Sequence, residues 1–206
     1  MHQPFDTSNS TIEYYNKNAL SYYEQTVNID MSDIYEPFLE LIPKGGHILD
    51  AGCGSGRDTK EFLCRGYKVT AIDASEAMVK LSSQLTGQKT LHMRFQELAF
   101  DKQFDGIWAC ASLLHIPRDK INGLIQHFSE TLNQKGIWYL SFKLGDGEHF
   151  INNRFFSFYS EELIAIILSQ YSHLKIQKIW QTSNSQTDNF PQKWLNVLLA
   201  KQASQD

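Results

Sequence analysis

Short apolar runs alternate with helical patterns through most of the chain. The apolar runs predict strands at residues 47–51, 68–72, 90–95, 104–110 and 137–142. Apolar residues at helical spacing between them predict helices at residues 57–65, 75–85 and 118–132. Strands that alternate with helices are typical of a parallel sheet with helices on both faces. The pattern therefore predicts an α/β fold.

The two ends of the chain depart from this alternation. Residues 1–10 are predicted to be a loose polar tail, and residues 11–42 a tyrosine-rich helical cap. The aromatic stretch up to residue 159 looks too irregular for a regular element, so we expect an active-site loop at residues 143–159. Two final strands without a helix between them should pair antiparallel. We treat residues 1–206 as one domain whose core spans residues 43–206.

The composition and charge of the chain limit the kinds of partner that we expect it to bind. The 206 residues are 42% hydrophobic and carry a net charge of −4, with no basic run that would bind nucleic acid. No apolar stretch reaches the roughly 18 residues of a spanning helix, and the N-terminus lacks a signal-peptide core. The three cysteines are unpatterned, and no metal-ligand spacing is present. We expect a cytoplasmic protein without a metal, a monomer or weak homodimer, that engages neither nucleic acid nor membrane.

A glycine-rich segment joins the first predicted strand to the first predicted helix. Asp50 lies near the end of the strand, and Gly52, Gly54 and Gly56 follow at alternate positions. Because glycine has no Cβ, a ligand can lie against the backbone N–H groups of such a loop. Asp73 follows Gly52 by 21 residues and ends the next strand, where it can accept both hydroxyls of a ribose. These residues predict a nucleoside site at the strand ends.

The glycine spacing separates two classes of nucleoside ligand. A dinucleotide loop has the pattern Gly-x-Gly-x-x-Gly, but here the third glycine comes one position early and Arg57 stands in its place. The carboxylate of Asp50 favours a cationic ligand over a diphosphate. Residues 50–56 resemble the first motif of the class I S-adenosylmethionine-dependent methyltransferases, and Asp73 resembles the acid of their second motif. The resemblance implies S-adenosylmethionine as cofactor and a Rossmann-like, seven-stranded sheet that is mostly parallel with an antiparallel last strand.

The resemblance covers about residues 11–200 and implies roles for further residues. Residues 104–117 resemble the fourth family motif, and an N-terminal helix caps the cofactor in this family. Tyr15 and Tyr22 are seven residues apart, so they share a helix face that would look into the cleft. Core packing is the alternative for these tyrosines and for Met78. The full set of expected cofactor contacts is Asp50, Gly52, Cys53, Gly54, Gly56, Arg57, Asp73, Ala74, Met78, Phe95, Gln96, Glu97, Ala109, Cys110, Tyr15 and Tyr22.

The sequence says less about the residues that would contact the molecule receiving the methyl group. His115 is the candidate general base, because it can take a proton near neutral pH; the alternative is that it orders the strand–helix turn. His149, Arg154 and Tyr159 are the polar candidates for substrate contact, with aromatic core packing as the equal alternative. Which residue of 94–97 contacts adenine stays open, and Gln96 could equally be a surface residue.

The resemblance implies methyl transfer to a small-molecule acceptor by in-line displacement. Arg57-Asp58 and the Leu-Leu-His-Ile-Pro segment look like a bacterial subgroup that includes tellurite-resistance-type enzymes. A non-catalytic sensor of S-adenosylmethionine is an alternative function, and a nucleic-acid methyltransferase is another. A nicotinamide-dependent oxidoreductase is a third alternative, disfavoured by Arg57 and Asp50.

Overall fold

The computed structural model describes residues 7–100, 103–184 and 192–203. It begins with two helices, α1 (Thr7–Thr26) and α2 (Ser32–Leu39). Helix α1 starts four residues before the predicted cap, so the predicted tail at 1–10 is helical from residue 7; residues 1–6 lie outside the described part. A kink at Asn18, whose amide donates to the Tyr14 carbonyl at 2.8 Å, divides α1 into two segments.

Strands and helices then alternate, as the hydrophobic pattern predicts. The strands are β1 (His47–Ala51), β2 (Lys68–Asp73), β3 (Leu91–His92), β4 (Phe104–Ala109) and β5 (Leu132–Leu144). The helices between them are α3 (Arg57–Cys64), α4 (Glu76–Thr86) and α5 (Arg118–Thr131). Strand β3 is shorter than predicted, because a 3₁₀ turn at Phe95–Glu97 occupies the end of the predicted segment. Strand β5 is longer than predicted, because it begins at residue 132 rather than at residue 137.

The sheet has the mixed topology that the sequence predicts. Strands β3, β2, β1, β4 and β5 lie side by side in that order, and each neighbouring pair is parallel. After α6 (Glu161–Leu168), strand β8 (Leu174–Asn184) pairs antiparallel with β9 (Gln192–Lys201), which pairs antiparallel with β5. The prediction of a mostly parallel sheet with an antiparallel end is confirmed, but the described sheet has nine strands rather than the predicted seven, because two strands that precede α6 were not predicted.

The aromatic stretch before α6 is a β-hairpin, so the prediction of an irregular loop there was wrong. Strand β6 (Glu148–Ile151) pairs with β7 (Arg154–Tyr159), and β7 continues the sheet beside the end of β5. Asn152 and Asn153 form the turn with φ of 51° and 61°, the left-handed conformation that two-residue hairpin turns require. Most residues of β7 are buried on both faces, which removes the polar–apolar alternation that identifies a strand in sequence.

Apolar side chains cover both faces of the sheet. Neighbouring residues of β4 illustrate this, because Ile107 and Trp108 belong to different core clusters and both are fully buried. Trp108 packs between Phe38 of α2 and Phe62 of α3, and its ring stacks on Tyr139 at 3.9 Å. This packing fixes the strand ends, where the candidate site lies.

Candidate active site

A cavity of about 630 Å³ opens at the carboxyl ends of β1, β2, β4 and β5. Helix α1, the α1–α2 connection and the β6–β7 hairpin surround it. Ligands of open α/β sheets bind at this edge, and the volume lies within the range of roughly 300–1,000 Å³ that is usual for small-molecule sites.

Asp73 is the best-organised acidic group of the cavity. Its Oδ2 accepts the N–H of Gly54 at 2.9 Å, and its Oδ1 accepts the N–H of Ser75 at 2.8 Å. Burial raises the pKa of Asp73, and these two backbone hydrogen bonds act against that rise. Each oxygen keeps a second lone pair, so the carboxylate can accept a pair of neighbouring hydroxyls while its orientation stays fixed.

The glycine loop uses its own N–H groups internally, contrary to our expectation. The N–H groups of Gly52 and Cys53 donate to the Ile72 carbonyl, at 2.9 and 3.0 Å, and that of Gly56 donates to the Cys53 carbonyl at 3.0 Å. With Gly54 bound to Asp73, none of these four donors is available. Within the described residues, the carbonyl of Gly52 accepts no hydrogen bond. The loop therefore offers a concave shape and acceptor oxygens, which suits a cationic donor group.

Close packing explains two of the three glycines. A Cβ on Gly52 would lie 2.5 Å from the Cβ of Ser112, and a Cβ on Gly56 would lie 2.9 Å from the Cα of Ser82. Gly54 is different, since its nearest neighbour would be the ring of Tyr22 at 4.0 Å. Gly54 therefore keeps space open between the loop and α1.

A buried charge network lies at the start of α3. Asp58 accepts hydrogen bonds from Arg57 at 2.6 and 3.1 Å, from the Tyr35 hydroxyl at 2.6 Å and from the Trp108 indole at 2.8 Å. Burial alone would raise the pKa of Asp58, but the Arg57 guanidinium and these donors lower it below its ordinary value. Because Arg57 is held by Asp58, its position at the cavity wall is fixed.

Asp50 lies beneath this network and outside the cavity. Its carboxylate accepts the Thr59 hydroxyl at 2.5 Å, which ties the end of β1 to α3. Burial and then the charge of Asp58 raise the pKa of Asp50 to about 8. A cation bound in the neighbouring cavity would favour its ionised form.

Helix α1 covers the cavity and is held there by several hydrogen bonds. Asn16 accepts the Ser75 hydroxyl at 2.7 Å, Thr11 accepts the N–H of Phe155 at 3.0 Å, and the Tyr15 hydroxyl hydrogen-bonds His115 Nε2 at 3.0 Å. The rings of Tyr15 and Tyr22 meet edge to face at 5.3 Å, and both line the cavity. The prediction that they share one face toward the cleft is confirmed; their contact with a cofactor stays a prediction.

His115 joins two elements that cover the site. Its Nδ1 lies 2.6 Å from the Phe155 carbonyl, which can only accept, so Nδ1 carries the proton and Nε2 accepts from Tyr15. Burial lowers the pKa of His115 to about 4. With its basic nitrogen occupied and its pKa low, the imidazole is better suited to hold Tyr15 against β7 than to remove a proton.

The two cysteines of the cavity are protonated thiols. Burial raises the pKa of Cys53 well above its ordinary value and that of Cys110 to about 12. A thiol with a raised pKa is a poor nucleophile. Both residues therefore contribute shape and small volume to the cavity wall.

Most of the predicted contacts line the cavity together. These are Gly52, Cys53, Gly54, Arg57, Asp73, Ala74, Met78, Phe95, Gln96, Cys110, Tyr15, Tyr22, His115 and Arg154. Met78 combines both interpretations that the sequence left open, because it is 1% exposed and also faces the cavity.

Six predicted contacts lie outside the cavity, each for a visible reason. Asp50 and Gly56 pack under the loop as described above, and Ala109 is fully buried in β4. The Glu97 carboxylate turns back to the N–H of Arg94 at 2.8 Å. Tyr159 is fully buried against Phe142, and exposed His149 bonds the Asp146 carbonyl at 2.9 Å. Direct ligand contact by these six residues is not supported.

Sequence reasoning missed several residues of the cavity wall. Lys143 follows the predicted fifth strand directly, and this strand-end position was a usable signal. No local signal marked Trp194 and Asn196, because β9 reaches the site only through its antiparallel pairing with β5. Also missed were Thr11, Asp58, Ser112, Tyr139, Ser141 and Phe156.

The described residues show neither a metal-binding cluster nor a helix that could span a membrane. In residues 7–100, 103–184 and 192–203, no cluster of histidine, cysteine or acidic side chains is arranged to hold a metal ion. No helix of this described part combines the length and apolarity needed to cross a bilayer.

Comparisons with known proteins find similarity to methyltransferases. Residues 48–136 match the methyltransferase domain family. A putative methyltransferase of Bacillus subtilis is 29% identical over 126 residues, which are 57% of this chain and 51% of the relative. A ubiquinone biosynthesis O-methyltransferase of Coxiella burnetii is 34% identical over 84 residues, 38% of this chain and 36% of the relative. The chain thus spans about half, or less, of the length of these curated relatives.

Solved structures share the whole fold. The 1,6-didemethyltoxoflavin-N1-methyltransferase of Burkholderia thailandensis, crystallised with 1,6-didemethyltoxoflavin and S-adenosylhomocysteine, matches 98% of this chain and 94% of its own. The TM-score is 0.73 at 21% identity. These comparisons do not resolve a subgroup, so the resemblance to tellurite-resistance-type enzymes stays a prediction. Residues 48–136 therefore match a methyltransferase domain, and the chain has the fold of methyltransferases of known structure.

Proposed function

We propose that the chain binds S-adenosylmethionine in this cavity and transfers its methyl group to a small-molecule acceptor. The observation that carries the proposal is Asp73, a carboxylate held by two backbone N–H groups at the end of β2 with free lone pairs beside a ligand-sized cavity. The alternative of a dinucleotide is disfavoured because the N–H groups of the glycine loop, which would bind a diphosphate, are already used.

The residues present fit this cofactor. Asp73 would accept the ribose hydroxyls, and Ala74, Met78 and Phe95 would form an apolar slot for the adenine. The Gly52 carbonyl suits the ammonium group, and the Asp50 carboxylate beneath the loop would favour that positive charge without touching it. When bound, S-adenosylmethionine supplies a methyl group on a sulfonium sulfur, which an in-line nucleophile can take with a neutral thioether as leaving group.

The protein's contribution would be mainly position and exclusion of water. Tyr15 and Tyr22 on α1 close the cavity over the loop, and His115 holds Tyr15 in place. Holding two reactants in line can lower the activation free energy by on the order of 7–11 kcal/mol. A general base is unnecessary for an acceptor that arrives ionised, so a neutral His115 is compatible with methyl transfer.

Titration calorimetry with S-adenosylmethionine tests the role of Asp73. In Asp73→Asn one acceptor oxygen and the charge are lost, and we expect the Kd to rise roughly 10- to 100-fold. Asp119→Asn, which removes an exposed carboxylate on α5, serves as the matched control and should bind as the wild type does. Equal affinity of Asp73→Asn and the wild type would rule out the ribose assignment.

The acceptor can be identified directly. Extract metabolites are incubated with the protein and isotopically labelled S-adenosylmethionine, and products are analysed by mass spectrometry. A metabolite that gains one labelled methyl group names the acceptor. Tight cofactor binding with no labelled product in any fraction would favour the sensor alternative instead.

A further inference from the structure

Two basic side chains line the cavity away from Asp73. Lys143 ends β5 and Arg154 begins β7, and the two strands pair at Lys143–Phe158. Both cations lie over the ring of Phe156, with Lys143 Nζ at 4.3 Å and the Arg154 guanidinium carbon at 5.1 Å from its centroid. Burial and the charge of Arg154 lower the pKa of Lys143. Two positive charges therefore converge on one apolar surface.

Neither cation has a carboxylate partner in the described part of the chain. The acids of the cavity are engaged elsewhere: Asp58 with Arg57, Asp73 with two backbone N–H groups, and Asp30 with Ser32. Asp33, at the start of α2, also lines the cavity but lies beyond ion-pair distance of both cations. Both side chains are half-buried. A cation held partly out of water without a carboxylate partner is costly, so this arrangement is typical of a site that a ligand completes.

Hydrogen-bond donors without partners lie in the same wall. The Arg154 Nε and the Trp194 indole nitrogen are buried and have no hydrogen-bond partner among the described residues. Trp194 is the cross-strand neighbour of Lys143 on β9. Arginine and tryptophan can only donate, so together with Lys143 they require a ligand that accepts hydrogen bonds.

The rest of this wall is apolar and aromatic. Phe156, Tyr139 and the Trp194 ring line it, and Leu114 contributes an aliphatic surface. Such a surface favours a ligand with a flat apolar body rather than a small inorganic ion.

We propose that the methyl acceptor is an organic anion with an aromatic or apolar body, and that Lys143 and Arg154 bind its negative group. This inference rests on the proposed function, because it assigns the second half of the same cavity. The chemistry requires an anionic oxygen on the acceptor, either the atom that is methylated or a carboxylate beside it. When the methylated atom is itself that anionic oxygen, the transfer needs no general base.

The cofactor's own carboxylate is a competing partner for these cations, and the test separates the two. The protein is saturated with S-adenosylhomocysteine and then titrated with benzoate or with its uncharged isostere benzamide. Binding is followed by calorimetry. Because the bound product already fills the cofactor half, any difference between the probes reports the acceptor half.

We expect benzoate to bind at least about tenfold more tightly than benzamide to the wild type. Lys143→Met should remove this preference, whereas Lys143→Arg, which keeps the charge, should retain most of it. Melting temperatures and S-adenosylhomocysteine affinity are measured for each variant as controls. Affinity for S-adenosylhomocysteine should stay within about threefold of the wild type in both variants.

Three results would overturn the inference. They are equal binding or no binding of the two probes, a benzoate preference that survives Lys143→Met, and a collapse of S-adenosylhomocysteine affinity in Lys143→Met. The last would assign Lys143 to the cofactor. Failure of the wild type itself to bind S-adenosylhomocysteine would instead contradict the proposed function, so the two failures are distinguishable.

Discussion

The two halves of the cavity differ in whether their polar and charged groups already have partners within the protein. In the cofactor half, formed by the loops after β1 and β2 and the start of α3, the carboxylates of Asp58 and Asp73 and several N–H groups of the glycine loop already have protein partners. In the acceptor half, formed by Lys143, Arg154 and Trp194, neither cation has a carboxylate partner among the described residues, and the Arg154 Nε and the Trp194 indole nitrogen have no hydrogen-bond partner there. The first half is organised before a ligand arrives, whereas the second half is completed by one.

This difference predicts how each half responds to mutation. A satisfied network loses stability when a member is removed, because its partners are left buried and unpaired. An unsatisfied site loses ligand binding, while the fold is unaffected or relieved. Stability measurements and binding measurements should therefore separate the two halves.

The largest effect is expected for Asp58→Ala. It would leave the Arg57 guanidinium and the donors of Tyr35 and Trp108 without their acceptor, at a cost of about 3–5 kcal/mol in the free energy of unfolding. Lys143→Met in the acceptor half should cost less than about 0.5 kcal/mol, or stabilise, since it removes an unpaired cation. Urea denaturation measures both. Similar losses of stability in the two variants would contradict the difference between the two halves of the cavity.

A matched pair of glycines tests how tightly the cofactor loop is packed. Gly52→Ala should cost roughly 2–4 kcal/mol, because φ is 75° and the new Cβ would meet Ser112. Gly54→Ala carries only the conformational cost of about 1–2 kcal/mol at φ 55°, since its Cβ has room. In calorimetry, Gly54→Ala should reduce the free energy of cofactor binding by more than it reduces the free energy of unfolding. A larger loss of stability in Gly54→Ala than in Gly52→Ala would contradict this packing.

His115, which connects α1 to the hairpin, should make stability depend on pH. Its pKa is lowered from 6.5 to about 4 in the folded state, so the unfolded chain binds the proton more readily. The stability that His115 contributes is present above pH 6.5 and is lost as the pH falls toward 4, by roughly 1–3 kcal/mol. In His115→Asn this part of the pH dependence should disappear from urea denaturation curves. An unchanged pH profile would show that the neutral imidazole is not the folded form.

The smallest effect is expected at the hairpin that carries Arg154. Asn153 has φ of 61°, which asparagine tolerates and alanine does not, so Asn153→Ala should cost about 1 kcal/mol. Asn153→Gly is the control and should be neutral or slightly stabilising. If alanine and glycine behave alike in thermal unfolding, the turn does not restrain the position of Arg154.

Local sequence specified the cofactor half to a large extent. Asp73, Gly52 and Gly54 lie within strand–loop–helix units, so their placement follows once the strands and helices are assigned. The same reasoning went wrong where it depended on contacts between units. It expected free N–H groups in the glycine loop, but Ile72 and Asp73 of the neighbouring strand take them. It also missed the β6–β7 hairpin, because burial on both faces removes the strand pattern.

What the sequence by itself determined is the alternation of strands and helices, the glycine loop and the acid that follows it. These depend on hydrophobic periodicity and turn chemistry, which act over a few residues. Only the tertiary structure decided which side chains complete the acceptor half. Lys143, Arg154 and Trp194 come from three separate strands that meet through long-range pairing, and no spacing along the chain encodes such a meeting.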